Sequence, residues 1–470
     1  MVCPYDTMAV MVRIGALGLI LVTLVGAPLH AQGRPPAPSP QEPVVVSAEH
    51  PRLFLRPARL RLLRRERERA SARWQQFDGY LSAEAPLPET AFAHALYYQV
   101  SGNTEAGRKA IAWALGPGTD LRQLALVFDW CQNLLSAPER RALIARIEQR
   151  LAQTAGDLSI SSMRSVALAA IALFDDAPEI PNRELQRVTR VWWEQTMAPA
   201  LTADRPVVAR DDAYALWELL HAVRDTTNLD LRESARHFFI EFPIEHLMSY
   251  YPAVFPGEDN DYRIGAMAQS GDPDLQKAAL SRAAELAMVA YDTNAEDIQY
   301  LQGWLMHDHF MLRSAFGAPY EFLWANPYQP GLSFTHVPLV YHSAVAGRLF
   351  VRSDWEDSAE WFGYFDGTAQ LFREGRRIAV NLKTPAPPLS LASAIIAWGA
   401  AEPNLRVSLS EDQQAVILIG LTPGRAYQVE IDDEEVFEES ADPGGILVLD
   451  VPHGKEIGIR VHAAPQRASP

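Results

Sequence analysis

The apolar residues of this chain change their period once, and that change limits the fold more than any other feature. From Ala91 to Phe316 they recur at three- and four-residue spacing, the repeat of helices with one buried face. "AFAHALYYQVSG" leads into "AGRKAIAWAL", and "LRQLALVFDWCQNL" leads into "SAPERRALIARIEQRLAQ". In the last of these, Ser136 and Glu139 form a capping-box signature. Helices joined by short turns fit an array of α/α hairpins curled into a toroid or solenoid. The segments are too unlike one another for a short-period repeat. After "ANPYQP" the period becomes two, in "HVPLVYH", "GRLFVRSDW", "EWFGYF", "TAQLFR" and "RIAVNL". These read as strands. "TPAPPLSLASAIIAWGA" interrupts them, and "LRVSLS", "QAVILIGL", "AYQVEIDD", "GILVLDV" and "IGIRVHA" follow. Turn residues between these alternating runs suit a small antiparallel sandwich. The expected fold is multidomain α+β: an N-terminal (α/α) toroid of helical hairpins, residues 48–330, then a short antiparallel β-sandwich, residues 331–470.

The chain has 470 residues, 48 % of them hydrophobic and 21 % charged, an ordinary globular composition with enough length for two domains. Its formal net charge of −16 argues against a nucleic-acid partner, which needs a basic face. A polyanionic ligand would have to be held by a local arginine cluster against the overall field.

Residues 1–31 read as a secretory signal, with Arg13 ahead of the apolar run Ile14 to Ala27 and Ala31 at a cleavage point. The run is short for a membrane-spanning helix, although an uncleaved N-terminal anchor is the alternative. Export to the periplasm or medium is expected, with no stable membrane insertion once the signal is removed. A Pro-rich linker, residues 32–47, follows. Cys131, alone after signal removal, lies in the apolar "LALVFDWCQNLL" and reads as a small buried hydrophobe. Nine arginines fall between Arg52 and Arg73. They form either a basic strip for a polyanion or, on the plainer reading we adopt, a helix face where Arg pairs with Glu66 and Glu68.

Three stretches resemble the heparinase II/III-like and alginate-lyase-like polysaccharide lyases: "HPRLFLRPARLRLLRR", "LVFDWCQNLLSAPER", and "GRLFVRSDWEDSAEWFGYFDG" with Arg352, Ser353 and Trp355 in place. They span roughly residues 49 to 375. The resemblance implies a toroid followed by a β-sandwich, and β-elimination at a uronic acid. That chemistry needs a group to neutralise the carboxylate, a Tyr or His to take the C5 proton, and an acid to protonate the departing oxygen. Where the family has an Asn or His as neutraliser, this chain has Ser161, Ser162 and Met163, with Arg164 next to them. The helix matching the family's catalytic Tyr is "DDAYALWELLHAV", with Tyr214 near its start and His221 beside the aligned Leu220. The family's histidine motif after the "RSDW" strand is shortened here to "YFDGTAQLF"; Asp366 survives and the histidines do not.

Other constellations bear on the site. Tyr214, Trp217, Glu218 and His221 share one helix face, which suits a sugar groove or a mixed buried face. "LMHDHFML" holds His307 and His309, which point about 200° apart on a regular helix and so cannot chelate one ion from it. "YYPAVFPGEDNDYRIGAM" gathers Glu258, Asp259, Asp261, Tyr262 and Arg263 at a turn; these suit a Ca²⁺ site, a glycosidase acid–base pair or a solvated turn. No Walker loop, paired CxxC or HExxH occurs, so no cofactor or metal is expected. Candidate catalytic residues are Tyr214, His221, Tyr262, Arg263, His307, His309 and Arg164; Trp217, Glu218, Arg352 and Asp366 are candidates for substrate binding. Three functions follow: an exported lyase of uronate glycans, a non-catalytic glycan-binding or envelope structural protein of the same fold, and an (α/α)-barrel glycoside hydrolase. The partner in each case is a poly- or oligosaccharide.

Overall fold

Three helices are buried nearly all round, and their sequences require it. Every residue of the helix Leu121–Trp130 is buried, as are all but Ser161 and Arg164 of Ile160–Ala172 and all but Arg224 and Asp225 of Ala213–Thr226. A helix apolar on all sides must lie inside a layer of others. The computed structural model describes residues 44–177, 179–308, 313–413, 415–432 and 434–465. The apolar run Ile14 to Ala27, the linker up to Pro43, and His309 lie outside the described residues.

The chain is helical in its N-terminal part and built of mainly antiparallel sheets in its C-terminal part. Thr90–Ser101 packs on Leu121–Trp130, which packs on Ile160–Ala172, which packs on Ala213–Thr226. Leu275–Tyr291 and then Ala318–Trp324 continue the series, and the last packs back against Thr90–Ser101. More amphipathic helices cover this inner set; Ala137–Gln153 opens with the expected capping box, the Ser136 N–H donating to Glu139 Oε2 at 2.8 Å. Between helices Arg236–Met248 and Leu275–Tyr291 the chain forms a two-stranded hairpin, Tyr250–Pro256 with Asp261–Gly265. The "GEDN" turn is therefore the tip of a β-hairpin.

Three sheets follow. The first is five-stranded and antiparallel in simple sequential order: Val340–Ser343, Arg348–Arg352, Trp361–Phe365, Thr368–Arg373 and Arg376–Val380. One face carries Phe350, Trp361, Phe365 and Phe372 into the helical core. The other carries Leu349, Val351, Phe362 and Tyr364 against Ile396, Ile417 and Ile419 of a second, four-stranded sheet. That sheet's opposite face (Ile395, Ala397, Val416, Leu418) packs on Val407, Val429, Ile459 and Val461 of the third. The middle strands, Ala394–Trp398 and Ala415–Ile419, are thus covered on both faces, which is why "AVILI" is uninterrupted apolar sequence. They run parallel to each other, as doubly buried strands tend to. The segment read as an interruption, "TPAPPLSLASAIIAWGA", supplies one of these two central strands.

"RSDWEDSAEWFGYF" is the joint between helices and sheets. Arg352 is 1 % exposed; it donates to the Tyr250 carbonyl at 3.0 Å and lies over the Trp355 ring at 4.6 Å. Trp361 Nε1 donates to the Met248 carbonyl at 2.8 Å. Both bonds tie the first sheet to the end of one helix and the hairpin that leaves it. Pro43–Pro470 cluster as one compact unit.

Ile417 is fully buried in the middle sheet and Val436, on an edge strand, is 54 % exposed. Ile417→Ala is expected to lower unfolding free energy by about 2–5 kcal/mol, and Val436→Ala to change it by less than about 0.5 kcal/mol. Denaturant titration of both variants checks the contrast; equal effects would contradict the layer order.

Candidate functional site

The N-terminal parts of several inner helices converge and bring polar side chains to the same place. Arg122 enters from Leu121–Trp130, Arg164 from Ile160–Ala172, Tyr214 and Glu218 from Ala213–Thr226, Tyr320 from Ala318–Trp324, and Glu89 caps Thr90–Ser101. Glu218 is the hub and is fully buried. Arg122 donates to it through Nε at 2.8 Å and Nη2 at 2.6 Å, Arg164 Nη1 at 3.2 Å, and the Tyr214 hydroxyl at 2.7 Å. Arg122 also reaches Glu89 at 3.2 Å, and the Tyr320 hydroxyl donates to the same carboxylate. Trp324 Nε1 donates to the Tyr214 oxygen at 3.1 Å.

Electrostatics follow from burial against pairing. Burial by itself favours the neutral Glu218, but the charges of Arg122 and Arg164 outweigh it and hold the carboxyl below its usual range. For Tyr214, burial and then the Glu218 carboxylate both push the phenol well above its usual value. Tyr214 is therefore a protonated hydrogen-bond donor, and its proton is committed to Glu218. The network meets solvent only at its rim: the Arg164 side chain is 14 % exposed and that of Glu89 25 %.

Of the residues singled out from sequence, Arg164, Tyr214 and Glu218 are brought together here, and the other described ones lie elsewhere. Trp217 is fully buried, edge-on to Phe239 and Tyr291. His221, a turn further along the helix, lies beside Trp324 and Tyr291 with Nε2 at 2.8 Å from the Ala287 carbonyl. Burial lowers its pKa. Tyr262 and Arg263 are consecutive on a strand and so leave opposite faces of the hairpin. Arg263 donates to Asp308 at 3.0 Å and to Asp357 at 2.7 Å. His307 is exposed at a helix end against Phe334. Arg352 is the buried joint described above. Asp366 is exposed and pairs with Arg348 at 3.3 Å. Glu258, Asp259 and Asp261 are exposed at and beside the hairpin tip. Among the described residues no group of three or more His, Cys, Asp and Glu is placed to hold a metal ion. Burial, then the Asp129 charge, pushes the Cys131 thiol up to about 12, so it stays protonated.

The structure also assembles groups that sequence reading passed over. Asp129, fully buried, accepts the backbone N–H groups of Arg52 at 3.0 Å and Leu53 at 2.9 Å, and lies 2.6 Å from His50 Nδ1. Arg52 donates to His50 Nε2, and arginine cannot accept, so Nδ1 carries the ring proton. A second buried ion network joins Arg263, Asp308, Arg282 and Glu285, with His246 at 3.2 Å from Glu285. Arg210 Nη1 donates to His246 Nε2 at 2.9 Å and to Ser281 Oγ at 2.7 Å. The one available signal was a charge inside an apolar helical run, as with Arg122 in "LRQLALVFDW"; such a charge must find a partner.

The arginine-rich helix Pro57–Glu68 departs from the expected Arg–Glu ladder. Glu66 pairs with Arg73 at 2.6 Å. Arg59, Arg64 and Arg67 instead donate to backbone carbonyls of Trp324, Gln99 and Ser101.

No family model matches the chain, and no curated protein matches it.

Two outcomes are expected. Glu218→Ala leaves two guanidiniums facing each other without their shared carboxylate, and should cost about 3–5 kcal/mol of stability, read by denaturant unfolding. The second concerns His246, whose pKa falls to about 4 through burial and then the Arg210 charge, with Glu285 opposing and Arg282 adding to the fall. The unfolded chain therefore takes up a proton near pH 6.5 that the folded one refuses until about pH 4. Stability contributed here is complete above the higher value and is lost as pH falls toward the lower. Unfolding free energy should drop by roughly 2 kcal/mol between pH 7 and pH 5; a flat profile would show that the ring is protonated in the fold.

Proposed function

We propose that this chain is an exported, non-catalytic glycan-binding protein on the frame of a heparinase II/III-like lyase. Its helices form an (α/α) toroid over residues 48–330, and its strands a sandwich-type domain over residues 331–470. The return of Ala318–Trp324 onto Thr90–Ser101 supports a closed ring of inner helices. The stretches that carry the resemblance also meet one another. "HPRLF" is pinned to "FDW" through Asp129 and through Trp130 Nε1, which donates to the Leu53 carbonyl at 2.9 Å.

One observation carries the non-catalytic reading: the Tyr214 hydroxyl is buried and donates to Glu218 at 2.7 Å. β-Elimination needs a base with a deprotonated atom near the substrate C5. Here the phenol is held neutral, and both neighbouring guanidiniums serve Glu218 rather than a uronate. Binding needs less. An open cavity of about 460 Å³ lies between the turn before Ala213–Thr226, the segment after the hairpin and the start of Leu275–Tyr291. Gln269, Ser270, Asp272 and Lys277 line it, the last paired with Asp211 at 2.6 Å, an assortment of donors and acceptors suited to sugar hydroxyls.

A screen of uronate polymers tests both halves. Ultraviolet absorbance of an unsaturated product should stay at background for every polymer, while calorimetry should find saturable binding to at least one. Lys277→Glu should weaken that binding by about tenfold, equivalent to about 1.4 kcal/mol. Growth of the absorbance would overturn the non-catalytic reading; absence of binding to any polymer would overturn the glycan reading.

A further inference from the structure

One wall of the cavity of about 460 Å³ is the stretch from Ala266 to Asp274, which lies between the hairpin and helix Leu275–Tyr291 and is neither helix nor strand. The first sheet holds it. A ring of hydrogen bonds closes at Met267: the Tyr251 hydroxyl donates to Gln370 Oε1 at 2.7 Å, Gln370 Nε2 donates to the Met267 carbonyl at 2.8 Å, and the Met267 N–H donates to the Tyr251 oxygen at 3.1 Å. Arg377, on the edge strand Arg376–Val380, reaches past this ring. Its Nη1 donates to the Met267 carbonyl at 3.2 Å and to the Gln269 carbonyl at 2.6 Å. Met267 therefore has partners besides Arg377, whereas Gln269 has no other among the described residues. Ser270 to Pro273 make no hydrogen bond among the described residues, and the chain is held again at Asp274, which accepts the N–H groups of Gln276 and Lys277 at 2.9 and 3.2 Å. Arg377 itself does not line the cavity.

We infer that Arg377 is a positioning residue of this cavity: it fixes the far end of the wall, where Gln269, Ser270 and Asp272 stand, without touching a ligand itself. The inference rests on the reading that the cavity takes a glycan. Hydrogen bonds from a guanidinium are charge-assisted, and one nitrogen shared by two carbonyls two residues apart sets the curve of the backbone between them. A wall fixed in advance need not be ordered when the ligand arrives, so the fastening raises affinity by preorganisation. The sheet does not need Arg377 to stay attached. Trp361 and Arg352 already tie it to the Met248 and Tyr250 carbonyls, and the ring at Met267 adds a third tie. The bond to Gln269 is the one that serves the wall alone.

Arg377→Ala and Arg376→Ala in the full chain test it. The Arg376 side chain leaves the other face of the strand, is exposed, and has no hydrogen bond or ion pair among the described residues. Proteinase K cleavage between Ala268 and Asp272, mapped by mass spectrometry, should be about tenfold faster in Arg377→Ala and unchanged in Arg376→Ala. Both variants should keep the melting temperature of the unsubstituted chain. Calorimetric binding of the uronate polymer that the unsubstituted chain binds best should weaken about fivefold in Arg377→Ala and hold in Arg376→Ala. Arg377→Lys keeps a cation without the fork and should fall between Arg377→Ala and the unsubstituted chain in both measurements; if Arg377→Ala loses its fold, this variant carries the test. Unchanged cleavage would overturn the positioning role whatever the ligand. Faster cleavage with unchanged binding would overturn its part in affinity. If the unsubstituted chain binds no polymer, the glycan reading falls and takes that part in affinity with it, while the cleavage rates still decide whether Arg377 holds the wall.

Discussion

The buried carboxylate of Glu218 is the interaction on which the helical part of this molecule depends. It lies in a helix that is apolar almost throughout, so its charge is tolerable only because Arg122 and Arg164 arrive from two neighbouring helices. Arg122 keeps only Glu89 as a carboxylate partner without it, and Arg164 keeps none among the described residues. A mutual requirement of this kind is a poor source of net stability compared with apolar packing, because desolvation offsets most of the attraction. It is a strong source of specificity, since any slip of one helix along another strands a charge. Tyr214 and Trp324 complete the arrangement and bring in a further helix. Helix order and helix register are therefore set by the same few atoms.

The same closure supports the non-catalytic reading proposed above, because acid–base catalysis needs a proton that moves at working pH. Arg122, Glu218 and Tyr214 have every strong donor aimed at an acceptor within the cluster. The second network behaves alike: Arg263, Asp308, Arg282 and Glu285 lock the hairpin, two helices and, through Asp357, the "RSDW" loop. Arg352, whose pKa burial and then the Arg263 charge lower to about 9, is satisfied by carbonyl oxygens alone. Arg352, a candidate for substrate binding on the sequence alone, is in the fold part of the fastening of sheets to helices.

The elements were largely legible in the sequence because period reports burial directly. The change from helical to alternating spacing after Pro330 marks where the sheets begin, and Ser136 with Glu139 marks a helix start as expected. Two elements escaped for identifiable reasons. Ala394–Trp398 is a doubly buried strand flanked by prolines, and a short apolar run of that kind has no alternation to detect. The hairpin of Tyr250–Pro256 with Asp261–Gly265 is masked by two prolines in its first strand and by acidic residues at its tip. The candidate site was legible only by halves. The shared face of Tyr214, Trp217, Glu218 and His221 follows from helical spacing, but a single helix says nothing about what stands opposite. Arg122 lies 96 residues from Glu218, and no local pattern encodes a pairing at that separation.

Ala213–Thr226 consequently joins two unlike environments along one helix of about 21 Å. At its start, positive and negative groups are matched and solvent is excluded. Near its end, Asp225 accepts from Arg224 at 2.8 Å and lies 3.4 Å from His221 Nδ1, and the space beside them is open. The arginines of the closed cluster come from neighbouring helices, whereas these two partners of Asp225 come from its own helix. A pair satisfied within one helix says nothing about which helices stand beside it, so the constraint on helix order lies at the start of Ala213–Thr226 and not at its end.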